Sequence, residues 1–190
     1  MRFISQYNNF YHGLRLSAIL IAMVWCLFFT AGRSAAQSVH EDQIKSVFLY
    51  NLTHFVTWPE SVVLSSRTFN IGVYGNSSFQ DVLEQTVVTE TKQNRQLVVT
   101  KLGDLDDITD QCRIVFITKE AMGDWDKIRE RVVGLPILTV ADQKEFTRRG
   151  GMVSLLRQNK KIQIEVNYTT VQQAGLTMSA KLLRLARVVE

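Results

Sequence analysis

The sequence has 190 residues and a formal net charge of +4, a length that admits one or two domains and favours one. Three arginines (Arg2, Arg15, Arg33) and no acidic residue fall in residues 1–36; without them 19 basic residues face 18 acidic ones, a net of +1, and nothing asks for nucleic acid as a partner. Only Cys26 and Cys112 occur, and the first lies in that leading segment, which excludes an intramolecular disulfide in the remainder.

The leading segment has three parts. Arg2 and Arg15 give a positive start, an uncharged apolar run follows from Leu16 to Phe29, and Ser34-Ala35-Ala36 supplies the small residues of a cleavage site. This predicts a signal peptide over residues 1–36 and an exported domain over 37–190. The apolar run falls short of the roughly 20 residues an uncleaved membrane anchor takes. Cys26 is not in a lipoprotein-type cleavage context, so no lipid anchor is expected.

The domain then reads in order. Ser38 to Trp58 is expected as one helix, with Ile44, Val47, Phe48, Asn51, Leu52 and Phe55 on one face. Leu49, Val56 and Trp58 widen the apolar arc, which predicts cover on more than one side, and Pro59 ends the helix. Phe69–Tyr74 is a strand. Gly75, Asn76, Ser77 and Ser78 then lead into a helix from Phe79 to Gln85; a glycine and hydroxyls at a helix start form a candidate rim for a small anionic ligand, or an ordinary turn and cap. The second and third glycines of a dinucleotide fingerprint and the lysine of a phosphate loop are missing.

Gln96–Thr100 is the next strand, and the aspartates 104, 106, 107 and 110 crowd the connection after it without calcium-loop spacing. Arg113–Ile117, a continuous apolar run beyond its arginine, is expected to be buried on both faces, with Cys112 at its mouth. Asp124–Arg131 is a surface helix and Pro136–Val140 a strand. Asp142 followed by Glu145 has the form of a capping box, so the next helix reads as a self-capped structural unit stopped by Gly150 and Gly151, with no chemistry expected there. Met152–Leu156 and Lys161–Val166 form a hairpin whose second strand alternates as if one face were wet. Asn167 caps a short helix ending at Gly175. A final helix opened by Thr177 or Ser179 follows, with Met178, Leu182, Leu185, Ala186 and Val189 buried and Lys181, Arg184 and Arg187 in a basic row.

Strand, helix and turn alternate throughout. The fold class expected is α/β: a single domain with a mixed, mostly parallel sheet of about six strands flanked by helices, ending in a C-terminal hairpin and helix. Metal and triad chemistry find no foothold. His40 and His54 stand without a cysteine or carboxylate at metal spacing, and no nucleophile elbow is present. Neither a cofactor nor a catalytic residue is expected. Exposed aromatic and arginine side chains dominate interface energies, which nominates Trp58, Trp125, Arg184 and Arg187 for a partner surface.

The order and spacing of the segments resemble the YfiR-like family of bacterial periplasmic proteins. The residues that carry this are Lys45, Phe48, Leu49, Asn51 and Phe55 closing in Trp58-Pro59, then Ile71–Gly75 with Phe79, and Cys112–Ile117. Ile137–Asp142, Phe146 and Gly150–Val153 are the most specific, followed by Ile164–Asn167, Ala174–Leu176 and Ser179–Leu183. The resemblance implies a non-enzymatic, periplasmic homodimer. It implies repression of an inner-membrane diguanylate cyclase through the cyclase's periplasmic sensor domain, with release by an OmpA-like outer-membrane lipoprotein. Raised cyclic-di-GMP then favours biofilm. Better-known members carry paired cysteines, whereas Cys112 has no partner in this sequence, so redox control by an internal disulfide is not expected. A small-ligand sensor without a cyclase partner is the alternative.

Overall fold

The structure is a computed structural model that describes residues 40–64, 66–75, 78–159 and 161–189. The chain divides into units at residues 41 and 42, and the fold below is that of the second. The expected signal peptide lies outside the described residues. Among those described, no helix is long and apolar enough to cross a membrane.

A helix, α1 (residues 40–55), leads into β1 (Val56–Thr57) and α2 (Glu60–Leu64). Then come β2 (Thr68–Tyr74), α3 (Phe79–Val87), β3 (Thr91–Lys92), β4 (Arg95–Leu102) and β5 (Cys112–Ile117). A 3-10 turn (Lys119–Asp124) and α4 (Trp125–Val132) precede β6 (Leu138–Ala141), β7 (Val153–Gln158) and β8 (Lys161–Asn167). The chain closes with α5 (Tyr168–Gln173), β9 (Thr177–Met178), α6 (Ala180–Leu185) and β10 (Arg187–Val189).

Eight of these strands make one sheet in the order β10-β8-β7-β6-β5-β2-β4-β3. The five from β4 to β7 run parallel, with β3 and β8 antiparallel to their neighbours and β10 parallel to β8. Numbered among themselves, the parallel strands stand 2-1-3-4-5, the order of a flavodoxin-like doubly wound sheet. The α/β class holds as read, with eight strands in place of about six. Side chains alternate between two cores. Ile114, Phe116, Leu138 and Val140 join the α1, α3, α5 and α6 side, while Val115, Ile117 and Ala141 join the α4 side. The expected burial of β5 on both faces is what the structure has, and it extends to Arg113, whose guanidinium is buried but donates to the carbonyls of Asp110 (2.5 Å) and Val62 (2.6 Å).

Four local expectations fail, each for a tertiary reason. First, α1 stops at Phe55 instead of Trp58. The β-branched Val56 and Thr57 pair antiparallel with β9, and Ser179 N donates to Phe55 O at 2.8 Å. Second, α1 is rotated from the face its apolar count suggested. Its buried arc is Lys45, Ser46, Leu49, Leu52 and Thr53, of which Leu52 alone stood on that face, and Ile44, Val47, Phe48, Asn51 and Phe55 are half-buried or exposed.

Third, residues 144–150 form turns rather than a capped helix, and Glu145 adopts a left-handed φ of 63°. Phe146 is drawn beneath Trp125 (ring centroids 4.5 Å), Gly151 sits against the Phe146 ring, and Thr147 hydroxyl donates to the buried Glu165 carboxylate. Those contacts outweigh local propensity. Fourth, the last helix ends at Leu185, which is 69% exposed, and Arg187–Val189 becomes an edge strand on β8. β8 is therefore not the edge, and Glu165, expected on a wet face, is buried. Asn167 caps α5 as read, accepting from Thr170 N, and of the two residues offered for the last helix it is Ser179 that caps, accepting from Leu182 N.

Candidate functional site

A doubly wound sheet opens a crevice at the carboxyl ends of its strands, where the strand order reverses. Here that point lies between β2 and β5. β2 ends at Tyr74 and the chain turns at Gly75, whose φ of +106° suits glycine. A Cβ there would collide with Thr118 Oγ1 and Ala121 Cβ, so the glycine also lets β5's end pack close. β5 ends at Ile117, and Thr118 N donates to Tyr74 O at 3.0 Å, tying the two strand ends together.

The crevice has a volume of about 220 Å³. Its floor is Phe79 and Phe116, stacked with centroids 4.3 Å apart. Ser78 and Thr118 bring hydroxyls, Lys119 a cation, and Asp42, Glu120 and Asp142 carboxylates. Ser78 occupies the N-cap position of α3 without a side-chain capping bond. Thr118 is 2% exposed, and its Oγ1 is the buried side-chain oxygen among the described residues with no hydrogen-bond partner. Leaving such a hydroxyl unpaired costs roughly 1–3 kcal/mol.

One wall is an ion pair between layers. Lys45 Nζ, from the inner arc of α1, lies 2.6 Å from Asp142 Oδ2 at the end of β6, with side chains 7% and 18% exposed. Gln143 Nε2 donates to the other Asp142 oxygen at 3.2 Å. Asp142 is thus a crevice wall and an ion-pair partner, not the helix cap its sequence context suggested. Mixed charges over an aromatic floor suit recognition of a small polar group carrying both signs.

The residues nominated from sequence scatter. Ser78 lines the crevice and Gly75 backs it against Thr118, while Asn76 and Ser77 lie outside the described residues. Trp58 and Trp125 are 4% and 0% exposed and offer no surface to a partner. Their ring N–H groups donate to Arg113 O (3.1 Å) and Arg149 O (3.0 Å), which makes them core anchors. Arg184 and Arg187 are exposed but sit on different elements, α6 and β10, and Arg187 reaches Glu165 at 3.7 Å. Thr118, Lys119, Asp142 and Lys45 were not nominated. Only strand order brings them together.

A family model described as YfiR/HmsC-like matches residues 42–187, most of the chain and nearly the whole described domain. The chain belongs to the YfiR/HmsC-like family. The family is one of periplasmic regulators of diguanylate cyclase signalling. No curated protein matches the chain. Among solved structures, a conserved domain protein from Vibrio cholerae is similar, with a TM-score of 0.52 and 13% identity over 64% of this chain and 54% of that one. An ABC domain in complex with L-Trp from Streptococcus pneumonia gives a TM-score of 0.46 and 10% identity over 67% of this chain and 59% of that one. The YfiR/HmsC-like chain therefore spans little more than half the length of either. At 13% identity the Vibrio likeness speaks for the fold alone.

Proposed function

We propose that this YfiR/HmsC-like chain binds and represses the periplasmic sensor domain of an inner-membrane diguanylate cyclase, lowering cyclic-di-GMP and biofilm formation. The observation that carries this reading is the family match across residues 42–187. Export by a cleaved signal peptide at residues 1–36 belongs to the same reading, as do release by an OmpA-like outer-membrane lipoprotein and a homodimeric state. Deleting the gene in a host that carries the partner cyclase raises cyclic-di-GMP and surface attachment, and the wild-type gene reverses both. Unchanged cyclic-di-GMP in the deletion strain refutes the reading.

The crevice supports a second reading, a small-ligand sensor that acts without a cyclase. Its support is the unpartnered Thr118 hydroxyl beside Ser78, Lys119 and three carboxylates. A true ligand stabilises the fold by mass action. Thermal unfolding of the mature protein with single amino acids and nucleotides tests it: a midpoint that climbs with ligand concentration, and fails to climb in Thr118→Val, supports a sensor. A flat response to every compound removes it.

A further inference from the structure

Three strand ends meet at the crevice in the order β6, β5, β2, and each brings a different group to it. β2 leads to Ser78, at the N-cap of the nine-residue α3, whose side chain makes no capping bond. The first turn of such a helix favours negative charge. β5 leads to Thr118. Its backbone is extended (φ −70°, ψ 161°), so it carries on the alternation of β5, and its side chain leaves the sheet on the side of Phe116, the crevice floor. That side chain is 2% exposed with no partner for Oγ1 among the described residues, and a buried hydroxyl in that state calls for a partner from outside the chain. Lys119 follows with an exposed ammonium. β6 brings Asp142, which holds Lys45 and Gln143 and, as a carboxylate with about four lone-pair sites, has room for a further donor.

We infer that the crevice takes a small free α-amino acid, an inference that rests on the ligand-sensor reading of this site. The carboxylate of the amino acid lies at the start of α3, where it accepts from the hydroxyls of Ser78 and Thr118 and meets Lys119. Its ammonium points to Asp142, and Glu120 adds negative charge nearby. Span and room agree. Two strand spacings separate β6 from β2, about 9–10 Å. An amino acid, roughly 3 Å from nitrogen to carboxylate oxygen, covers about that distance with a charged hydrogen bond at each end. The volume of about 220 Å³ is below the ~300 Å³ at which ordinary ligand sites begin, and Phe79 and Phe116 are each 2% exposed, so the floor offers little to a long apolar side chain. Glycine, alanine and serine therefore fit better than an aromatic amino acid or a nucleotide. A lone anion would face three carboxylates, and a lone cation would leave the Thr118 hydroxyl and the start of α3 unanswered.

Isothermal titration and thermal unfolding of the purified protein with L-alanine test this, beside L-alaninamide, which lacks the carboxylate, and N-acetyl-L-alanine, which lacks the ammonium. L-alanine raises the midpoint as its concentration climbs, and each blocked form binds about tenfold more weakly or worse. Thr118→Val and the surface change Lys119→Gln each weaken L-alanine about tenfold, while Lys127→Gln, exposed on α4, binds as wild type does. Wild-type affinity in both Thr118→Val and Lys119→Gln places the amino acid elsewhere and overturns the proposal. Equal affinity for either blocked form overturns it too, since one of the two charges is then not read. If glycine, alanine and serine are all silent while another compound raises the midpoint in a Thr118-dependent way, the amino-acid class falls and the sensor reading stands. A flat response to every compound removes both.

Discussion

The two sides of α1 invert the usual relation between polarity and burial. The inner arc is partly polar, yet Lys45, Ser46 and Thr53 are 5% exposed or less. Each has a partner: Lys45 meets Asp142, Ser46 hydroxyl meets Thr86 hydroxyl at 2.8 Å, and Thr53 hydroxyl donates to Tyr50 O at 2.7 Å. The outer stripe is richer in large apolar side chains, yet it stays partly in water. Burial here follows where each polar group finds a partner, not apolar count alone. Phe48 and Phe55 of that stripe still pack against the margin of the core.

The largest effect that would break this contrast comes from Lys45→Ala. It strands Asp142 in a largely buried wall and costs about 3–5 kcal/mol by urea unfolding, and the Lys45→Ala/Asp142→Ala pair recovers part of the loss. Next is Leu52→Ala in the same arc, at about 2–4 kcal/mol, because a fully buried leucine leaves a cavity. Thr118→Val is expected to be neutral or to stabilise by about 1 kcal/mol, since it removes an unpartnered buried hydroxyl; a large loss would show that the hydroxyl is satisfied in solution. On the outer side, Val47→Ala stays within about 0.5 kcal/mol of wild type. An outer-side loss as large as that of Leu52→Ala would erase the contrast.

Cys112 gives a pH test outside α1. Burial raises its thiol above the ordinary value of 9.0. The fold favours the neutral thiol, so this contribution to stability is complete below pH 9.0 and is lost as pH rises through the raised value. Alkylation of the native protein at pH 8 is accordingly slow and becomes fast in denaturant, and equal rates in the two states would contradict the burial.

Much of the fold is legible in the sequence because its central strands are continuous apolar runs, and β2, β5 and β6 appear within a few residues of their expected bounds. The caps at Asn167 and Ser179 are legible because a side chain meets its own backbone three residues on. The rest depends on partners distant in sequence. Asp142 and Glu145 look like a cap until Lys45, 97 residues earlier, takes the carboxylate. Val189 looks like the end of a helix stripe until β8 offers an open edge. Trp58 and Trp125 looked like interface anchors because composition does not say which side of a sheet a ring will meet. Thr118 could have been suspected as the first polar residue after β5, but only the strand order shows that it stands at the switch point.

The proposed repressor role stands or falls on the cyclic-di-GMP level of a deletion strain that carries the partner cyclase, complemented with the wild-type gene or an empty vector. The wild-type gene is expected to restore the low level and the vector to leave it high. Equal levels in the two strains would contradict the role.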